Sequence, residues 1–242
     1  MGSIKPLQEQ LMKALAAELG SHGFKFIRRS QRYYRVTGYG KDMIHITFSH
    51  PGSGFVAELS ADLRHDAVED LLQSVPNEWP TEDWKPWTWT VGNRLSNMLR
   101  RQAGWHVVQE VDVVEAVMGM MSTVHSVVFP YFARFSSLDE VFAMLVRRDA
   151  EARRLTGWGV GPVWAARAVA TAFLVNKQDV VDEVERAQRM ERAQRHVSID
   201  LNAQDQFFDA VVAEVRHRWR AMEQTESGNA TPACHTDAGS SG

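Results

Sequence analysis

The feature that most constrains this fold is a pair of alternating apolar patterns separated by four turn residues. The segment MIHITFSH, residues 43–50, places Ile44, Ile46 and Phe48 on one side of an extended chain, and the turn PGSG follows. The next segment, FVAELSADL, alternates again, and its apolar side chains are Phe55, Ala57, Leu59, Ala61 and Leu63. A period of two predicts β-strands, because successive side chains point to opposite faces. Two such strands joined by a turn predict an antiparallel sheet whose apolar face needs a cover.

Neighbouring segments can supply both the cover and further strands. Leucines four residues apart in 6–20 predict an amphipathic helix, and HDAVEDLLQSV at 65–75 predicts another. The segment GFKFIRRSQRYYRV at 23–36 is aromatic and β-branched, which favours a hairpin. We expect a further strand at 86–91, and after about residue 110 a chain that is helical. The predicted fold class is α+β: an antiparallel sheet of four to five strands flanked by helices, with a helical C-terminal half.

The domain organisation follows from length and composition. A chain of 242 residues that is 44% hydrophobic can bury a substantial core. We predict a single α+β domain over residues 1–222, with a sheet-containing half at 1–92 and a mainly helical half at 93–222. The last helix is expected at 203–222. Residues 223–242 are rich in Ser, Gly, Thr and Ala, which predicts a disordered tail.

Charge and cysteine content restrict the setting of the protein. The net charge is −3, and the tail contains Glu223, Glu226 and Asp237 without any Lys or Arg, so the rest of the chain is balanced. A balanced chain argues against a general nucleic-acid or membrane coat. The single cysteine, Cys234, allows no intramolecular disulfide and indicates a reducing, cytoplasmic location.

The most apolar stretch is VEAVMGMMSTVHSVVF at 114–129. It is shorter than the roughly 20 residues that cross a bilayer, and Glu115 and His125 interrupt it. We therefore predict a buried helix that ends before Pro130, and no membrane partner.

Motifs for catalysis, metals and cofactors are missing from the sequence. It contains no HExxH, CxxC or GxSxG, and its glycine-rich loop at 156–162 lacks the GxGxxG spacing and the Lys-Ser/Thr of nucleotide sites. The prediction is a protein that is not an enzyme and that uses no metal or cofactor. A pocket that gathered a histidine with two carboxylates would reverse this interpretation.

Four tryptophans lie close together in EWPTEDWKPWTWT at 78–90. In a strand, Trp87, Trp89 and Val91 share one face and Thr88 and Thr90 share the other, so we expect the two tryptophans to pack in the core. Trp79 and Trp84 lie in a proline-punctuated loop. They either fold over the edge of the core or form a protein-binding surface, because amphipathic rings are common in interfaces.

A basic cluster without acids occupies the predicted hairpin: Lys25, Arg28, Arg29, Arg32 and Arg35. Cations interleaved with aromatic side chains can grip phosphates and stack on bases, so these residues are candidates for binding an anionic partner such as a nucleic acid. Alternatively, they solvate the outer face of the hairpin and protect an exposed edge.

The hairpin segment GFKFIRRSQRYYRV and the segment VVFPYFARFSSLDEV at 127–141 resemble the bacterial domain of unknown function 4304 family. The first hairpin is similar to that family's Gly-Phe-basic-aromatic segment, and FPYFARFSSLDEV is similar to its Pro-aromatic segment followed by a short capped helix. The resemblance implies a small cytosolic α+β module with no assigned catalytic residues. It also implies an interaction role, such as toxin neutralisation or an adaptor function in a bacterial conflict system.

The functional prediction is a non-catalytic protein-binding module, of the immunity or adaptor type, with Trp79 and Trp84 as candidate contacts. The alternative is nucleic-acid or other anionic-partner binding through the hairpin at 24–35. An enzyme whose site is assembled from distant residues is the third hypothesis.

Overall fold

A computed structural model describes residues 4–76, 88–147, 149–157, 161–194 and 199–228. Six strands form one antiparallel sheet: β1 Lys25–Ile27, β2 Arg32–Val36, β3 Gly40–Ser49, β4 Phe55–His65, β5 Val91–Arg94 and β6 Gly104–Val107. The first four strands are neighbours in chain order, and β5 and β6 pair with the two ends of β4. In the register between β3 and β4, Ile44 lies opposite Ala61 and Ile46 opposite Leu59.

Helices cover the apolar face of the sheet and make up most of the remaining described residues. They are α1 Ile4–Gly20, α2 Asp66–Ser74, α3 Leu95–Leu99, α4 Glu110–Thr123, α5 Phe129–Arg134, α6 Leu138–Val146, α7 Ala150–Thr156, α8 Pro162–Leu174, α9 Gln178–Gln194 and α10 Ile199–Gly228. The predicted α+β class is confirmed: strands β1–β4 and β6 form an antiparallel sheet near the N-terminus, and β5 adds a short segment beside β4. A mainly helical C-terminal half follows.

The apolar face of the sheet is the one that the alternation predicts. The alternating apolar side chains of β4 are buried, and Ile44 and Ile46 of β3 are buried beside them. Helix α1 packs its leucine stripe into this core, since Leu11, Leu15 and Leu19 are fully buried. Burial of a side chain of this size typically stabilises a fold by about 1.5–3 kcal/mol relative to leaving it exposed.

Helices α4 and α5 form one continuous helix of 25 residues, Glu110–Arg134, which was not predicted. The expectation that the helix ends before Pro130 is wrong. Proline has no N–H and its ring clashes with the carbonyl four residues earlier. A π-helical turn at Val124–Val128 shifts the hydrogen-bond register immediately before the proline, so that the Phe129 N–H donates to the Val124 carbonyl. The helix continues because this wider turn accommodates Pro130.

Three predicted boundaries also differ from the structure. The strand expected at 86–91 begins only at Val91. Strand β6 belongs to the sheet although it lies beyond residue 92, in the half predicted to be mainly helical. Helix α10 continues past residue 222 to Gly228, so the start of the predicted disordered tail is helical.

Candidate functional site

The tryptophan segment is only partly described. Trp79, Trp84 and Trp87 lie outside the described residues, so the role predicted for Trp79 and Trp84 as a protein-binding surface stays a prediction. Trp89 is partly exposed, whereas Thr88 and Thr90 are buried. Burial alternates over these three residues, but the threonines are the inward side chains, so the prediction that Trp89 packs in the core and the threonines face away is wrong. Residues 88–90 precede β5.

The buried threonines belong to a polar junction between the sheet and α8. The Thr90 hydroxyl accepts a hydrogen bond from the His65 backbone N–H at 2.9 Å and donates to Glu69 Oε1 at 3.2 Å. Glu69 on α2 also accepts from Arg167 on α8, at 2.9 Å to Nε and 3.2 Å to Nη2. Glu69 and Arg167 are almost completely buried. Arg167 Nη1 is buried without a hydrogen-bond partner, whereas Nε and Nη2 both donate to Glu69, which ties α8 to α2.

The basic hairpin forms as predicted, but its cations do not converge on one surface. Arg28 pairs with Glu9 of α1 at 2.5 Å, and Arg35 donates to Asp42 Oδ2 at 2.9 Å. Arg32 is buried on the opposite face of the sheet from Arg35. Lys25 and Arg29 are exposed. Anionic-partner binding through this hairpin stays a prediction, and three exposed cations, of which Arg28 is paired with Glu9, provide less charge for it than five would.

Arg32 begins a polar row across the face of the sheet that lies opposite the apolar face. In register, Arg32 of β2 lies opposite His45 of β3, His45 opposite Ser60 of β4, and Ser60 opposite Arg94 of β5. Asp62 lies one position further along the same face of β4, and the Ser60 hydroxyl donates to it at 3.2 Å. These four strands therefore collect charged and hydrogen-bonding side chains, of which the sequence analysis singled out Arg32 alone.

Three groups in this row have shifted pKa values, and burial lowers the pKa of the Arg32 guanidinium from its ordinary value. Burial raises the pKa of the Asp62 carboxyl to about 7, although Ser60 and Arg32 act in the opposite direction. Burial also lowers the pKa of His45 to about 4, and the nearby positive charges of Arg32 and Arg94 add to this shift. Near neutral pH His45 is thus uncharged, and Asp62 is close to half protonated.

Shifted pKa values occur at acid–base catalytic sites, but also in purely structural networks. His45 and Asp62 share the face with Glu58, whose carboxylate accepts a hydrogen bond from Ser96. Within the described residues, no hydrogen bond joins His45 to either carboxylate. The row can hold protons and charges, but it does not form a nucleophile–base pair.

The second feature that the sequence analysis missed is an exposed apolar surface on α4. Three side chains at positions i, i+3 and i+7 share one side of the helix: Val111 is 57% exposed, Val114 60% and Met118 69%. We call these three residues the α4 stripe. Val108, just before the helix, is also exposed. The opposite side of α4 is held in the core by Val113, Ala116, Val117 and Met120.

The helix that carries the α4 stripe has apolar side chains on two sides, which explains why it was predicted to be buried. Among the described residues, this is the one helix that is long and apolar enough to cross a membrane by length and composition. A core helix has the same properties, and one side of this helix is buried in the core. A spacing of 3, 4 and 7 residues was visible in the sequence. However, it could not show which of two apolar sides faces solvent.

Comparisons with known proteins add no assignment. No protein-family profile matches the chain, no curated protein matches its sequence, and no solved structure matches its fold. The resemblance to the domain of unknown function 4304 family stays a prediction. Within the described residues, no group of three or more His, Cys, Asp or Glu side chains is arranged to hold a metal ion.

Proposed function

We propose that this protein is a non-catalytic protein-binding module and that the α4 stripe is its contact surface. The observation that carries the proposal is the exposure of Val111, Val114 and Met118 on a helix whose other side is anchored in the core. Neutralising a toxin or acting as an adaptor would be particular forms of this function.

The rigidity of α4 supports this role. A contact surface on a well-packed helix loses little conformational entropy on binding. Trp105 of β6 packs closely on α4, since a side chain at Gly119 would lie 2.6 Å from its indole Nε1. The helix also begins with a capping box between Gln109 and Asp112. The stripe is therefore presented on a helix that is fixed at its start and along its inner side.

The arrangement also matches a known mode of recognition. Apolar side chains at i, i+3 and i+7 are the anchors by which a helix packs against a partner's groove or helix. Single exposed apolar residues need no explanation, but a contiguous set on one helix face indicates an interaction surface.

The test is capture of partners from the native host with matched variants. We expect the wild type to retain a specific protein that the double variant Val114→Ser/Met118→Ser loses. Met190→Ser is the control, because Met190 is 61% exposed on α9, close to the 69% of Met118. Retention of the same partner by the double variant would contradict the proposal.

A further variant separates the α4 stripe from the tryptophan segment. If Trp79→Ala/Trp84→Ala loses the partner and Val114→Ser/Met118→Ser keeps it, the contact surface is the loop predicted from the sequence. Titration of the purified partner should then give at least about a tenfold weaker affinity for the variant that removes the true contact, equivalent to about 1.4 kcal/mol.

A further inference from the structure

The charges around the α4 stripe specify the chemistry of its partner, an inference that rests on the proposed function. No Lys or Arg occurs between Arg101 and Arg134, whereas Glu110, Asp112 and Glu115 lie in the first two turns of α4. The Asp112 carboxylate accepts hydrogen bonds from the backbone N–H groups of Val108 and Gln109, at 2.8 and 3.0 Å. It is thus engaged at the start of the helix, which leaves Glu110 and Glu115 as the exposed acids.

The two glutamates border the stripe on opposite sides. With about 100° of rotation per residue, Val114, Met118 and Val111 lie at about 40°, 80° and 100° from Glu110 around the helix axis. Glu115 lies at about 140° on the same scale. The exposed surface is therefore an apolar strip with a carboxylate along each edge. Neither glutamate forms an ion pair with a residue in the described parts of the chain.

We propose that the α4 stripe binds a cationic amphipathic helix. The apolar side of that helix would cover Val111, Val114 and Met118, and its Lys or Arg side chains would approach Glu110 and Glu115. Opposite charges at the rim of an apolar contact fix its register and select against partners of the wrong sign.

The same charges disfavour two other occupants. In a second copy of this chain, each acid-bordered stripe would face another whose helix carries Glu110 and Glu115 and no Lys or Arg. An anionic membrane surface attracts helices with Lys and Arg on their polar side, and α4 has neither.

The inference is tested with three labelled synthetic peptides that share one amphipathic leucine pattern and carry Lys, Gln or Glu at the polar positions. Fluorescence anisotropy at low and high salt measures their binding to the full-length protein. We expect the Leu/Lys peptide to bind about tenfold more tightly than the Leu/Gln peptide, and the Leu/Glu peptide to bind most weakly. The preference should decrease at high salt.

Matched variants test whether the preference for the Leu/Lys peptide arises from the acidic residues of α4. Glu110→Gln/Glu115→Gln should lower the affinity for the Leu/Lys peptide to that of the Leu/Gln peptide. Asp179→Asn/Glu183→Gln, which removes two exposed acids from α9, should leave it unchanged. Val114→Ser/Met118→Ser should weaken binding of the Leu/Lys and Leu/Gln peptides alike. Equal effects of the α4 and α9 charge variants would overturn the proposal.

Other outcomes separate this inference from the proposed function. If the Leu/Gln and Leu/Glu peptides bind as tightly as Leu/Lys, and only the serine variant loses them, the stripe is a binding surface but the charge inference is wrong. The inference is also overturned if the protein alone sediments as a dimer that the serine variant abolishes. Stripe-dependent binding to phosphatidylglycerol vesicles would overturn it as well.

Discussion

Thr88 and Thr90 are buried although the tryptophan between them is partly exposed. Their hydroxyl groups are needed where they lie, because Thr88 accepts hydrogen bonds from Arg64 at 2.5 Å and Gln73 at 3.2 Å. Buried charged groups are stable only when such partners satisfy them. Hydrogen bonding therefore explains why the two threonines are buried at this junction although the more hydrophobic Trp89 is partly exposed.

The Glu69–Arg167 pair gives the first residue-scale prediction. Arg167→Met should lower the free energy of unfolding by about 3–5 kcal/mol, because it leaves a buried carboxylate without its partner. The double variant Glu69→Leu/Arg167→Met should recover most of this loss, since it removes both charges. Urea unfolding followed by circular dichroism measures both. Equal losses in the single and double variants would show that packing and not charge sets the cost.

The pKa values of Asp62 and His45 give the second prediction. The folded pKa of Asp62, about 7, lies above the ordinary 3.8, so Asp62 makes stability fall as pH rises from about 4 to about 7. The folded pKa of His45, about 4, lies below the ordinary 6.5, so His45 makes stability rise as pH rises from about 4 to about 6.5. The two contributions oppose each other in the wild type.

Single substitutions should separate these contributions. Relative to the wild type at each pH, Asp62→Asn should become more stable as pH rises from about 4 to about 7, and His45→Gln should become less stable as pH rises from about 4 to about 6.5. Each slope is at most about 1.4 kcal/mol per pH unit. Referring every value to the wild type cancels the other titrating groups. Urea unfolding across this range measures both, and slopes of the same sign would refute the assignment.

At the scale of elements, α4 has two apolar sides with different roles. Val113 and Val117 point into the core, whereas Val111 and Val114 point to solvent. The hydrophobic effect stabilises the fold only where a side chain is removed from water. The inner side of α4 therefore holds the helix in place, and the outer side is available for a partner.

A matched pair of substitutions on this helix should show that its inner side contributes to stability and its outer side does not. Val117→Ala should cost about 2 kcal/mol, because it removes buried methyl groups from packed surroundings. Val114→Ala should change stability by less than about 0.5 kcal/mol, since the side chain is exposed and alanine favours helices. Thermal and urea unfolding of both variants provide the comparison. A comparable loss in Val114→Ala would mean that the α4 stripe supports the fold.

At the scale of the whole molecule, buried polar contacts join the sheet to the helical half. Besides the Glu69–Arg167 pair, the His65 ring nitrogen Nε2 lies 2.8 Å from the Phe135 carbonyl oxygen, and Asn93 of β5 donates to the Arg154 carbonyl of α7 at 2.8 Å. Gly157 adds a close backbone approach, since a side chain there would lie 2.0 Å from the Gly92 carbonyl oxygen. Its φ of +74° also favours glycine. These contacts favour a single cooperative unit.

We therefore predict that the sheet and the helical half unfold together. Amide protons of β4 and α8 should exchange with the same opening free energy, because the buried pair ties α2 to α8. Native-state hydrogen exchange at increasing denaturant measures this. A clearly lower opening free energy for α8 than for β4 would show instead that the helical half opens as a separate unit.

Much of the fold could be predicted from local patterns. The alternation in β3 and β4, the leucine stripe of α1 and the hairpin at 24–36 each depend on side chains that repeat with the period of their own element. The position of β5 could not be predicted this way, because Trp89 and the two threonines occupy places set by α2 and α8. The exposure of the α4 stripe could not be predicted either, because it depends on which side of the helix the rest of the fold covers, and the role of Trp79 and Trp84 stays a prediction.

The sequence alone determined the α+β class and the apolar face of the sheet, because periodicity fixes which side chains share a face of one element. Only the tertiary structure decided which of the two apolar sides of α4 is covered, where the basic side chains of the hairpin point, and which polar residues are buried. These properties depend on neighbours that are far away in sequence, such as Arg167 beside Glu69 and Glu9 beside Arg28. A local pattern contains no information about such neighbours.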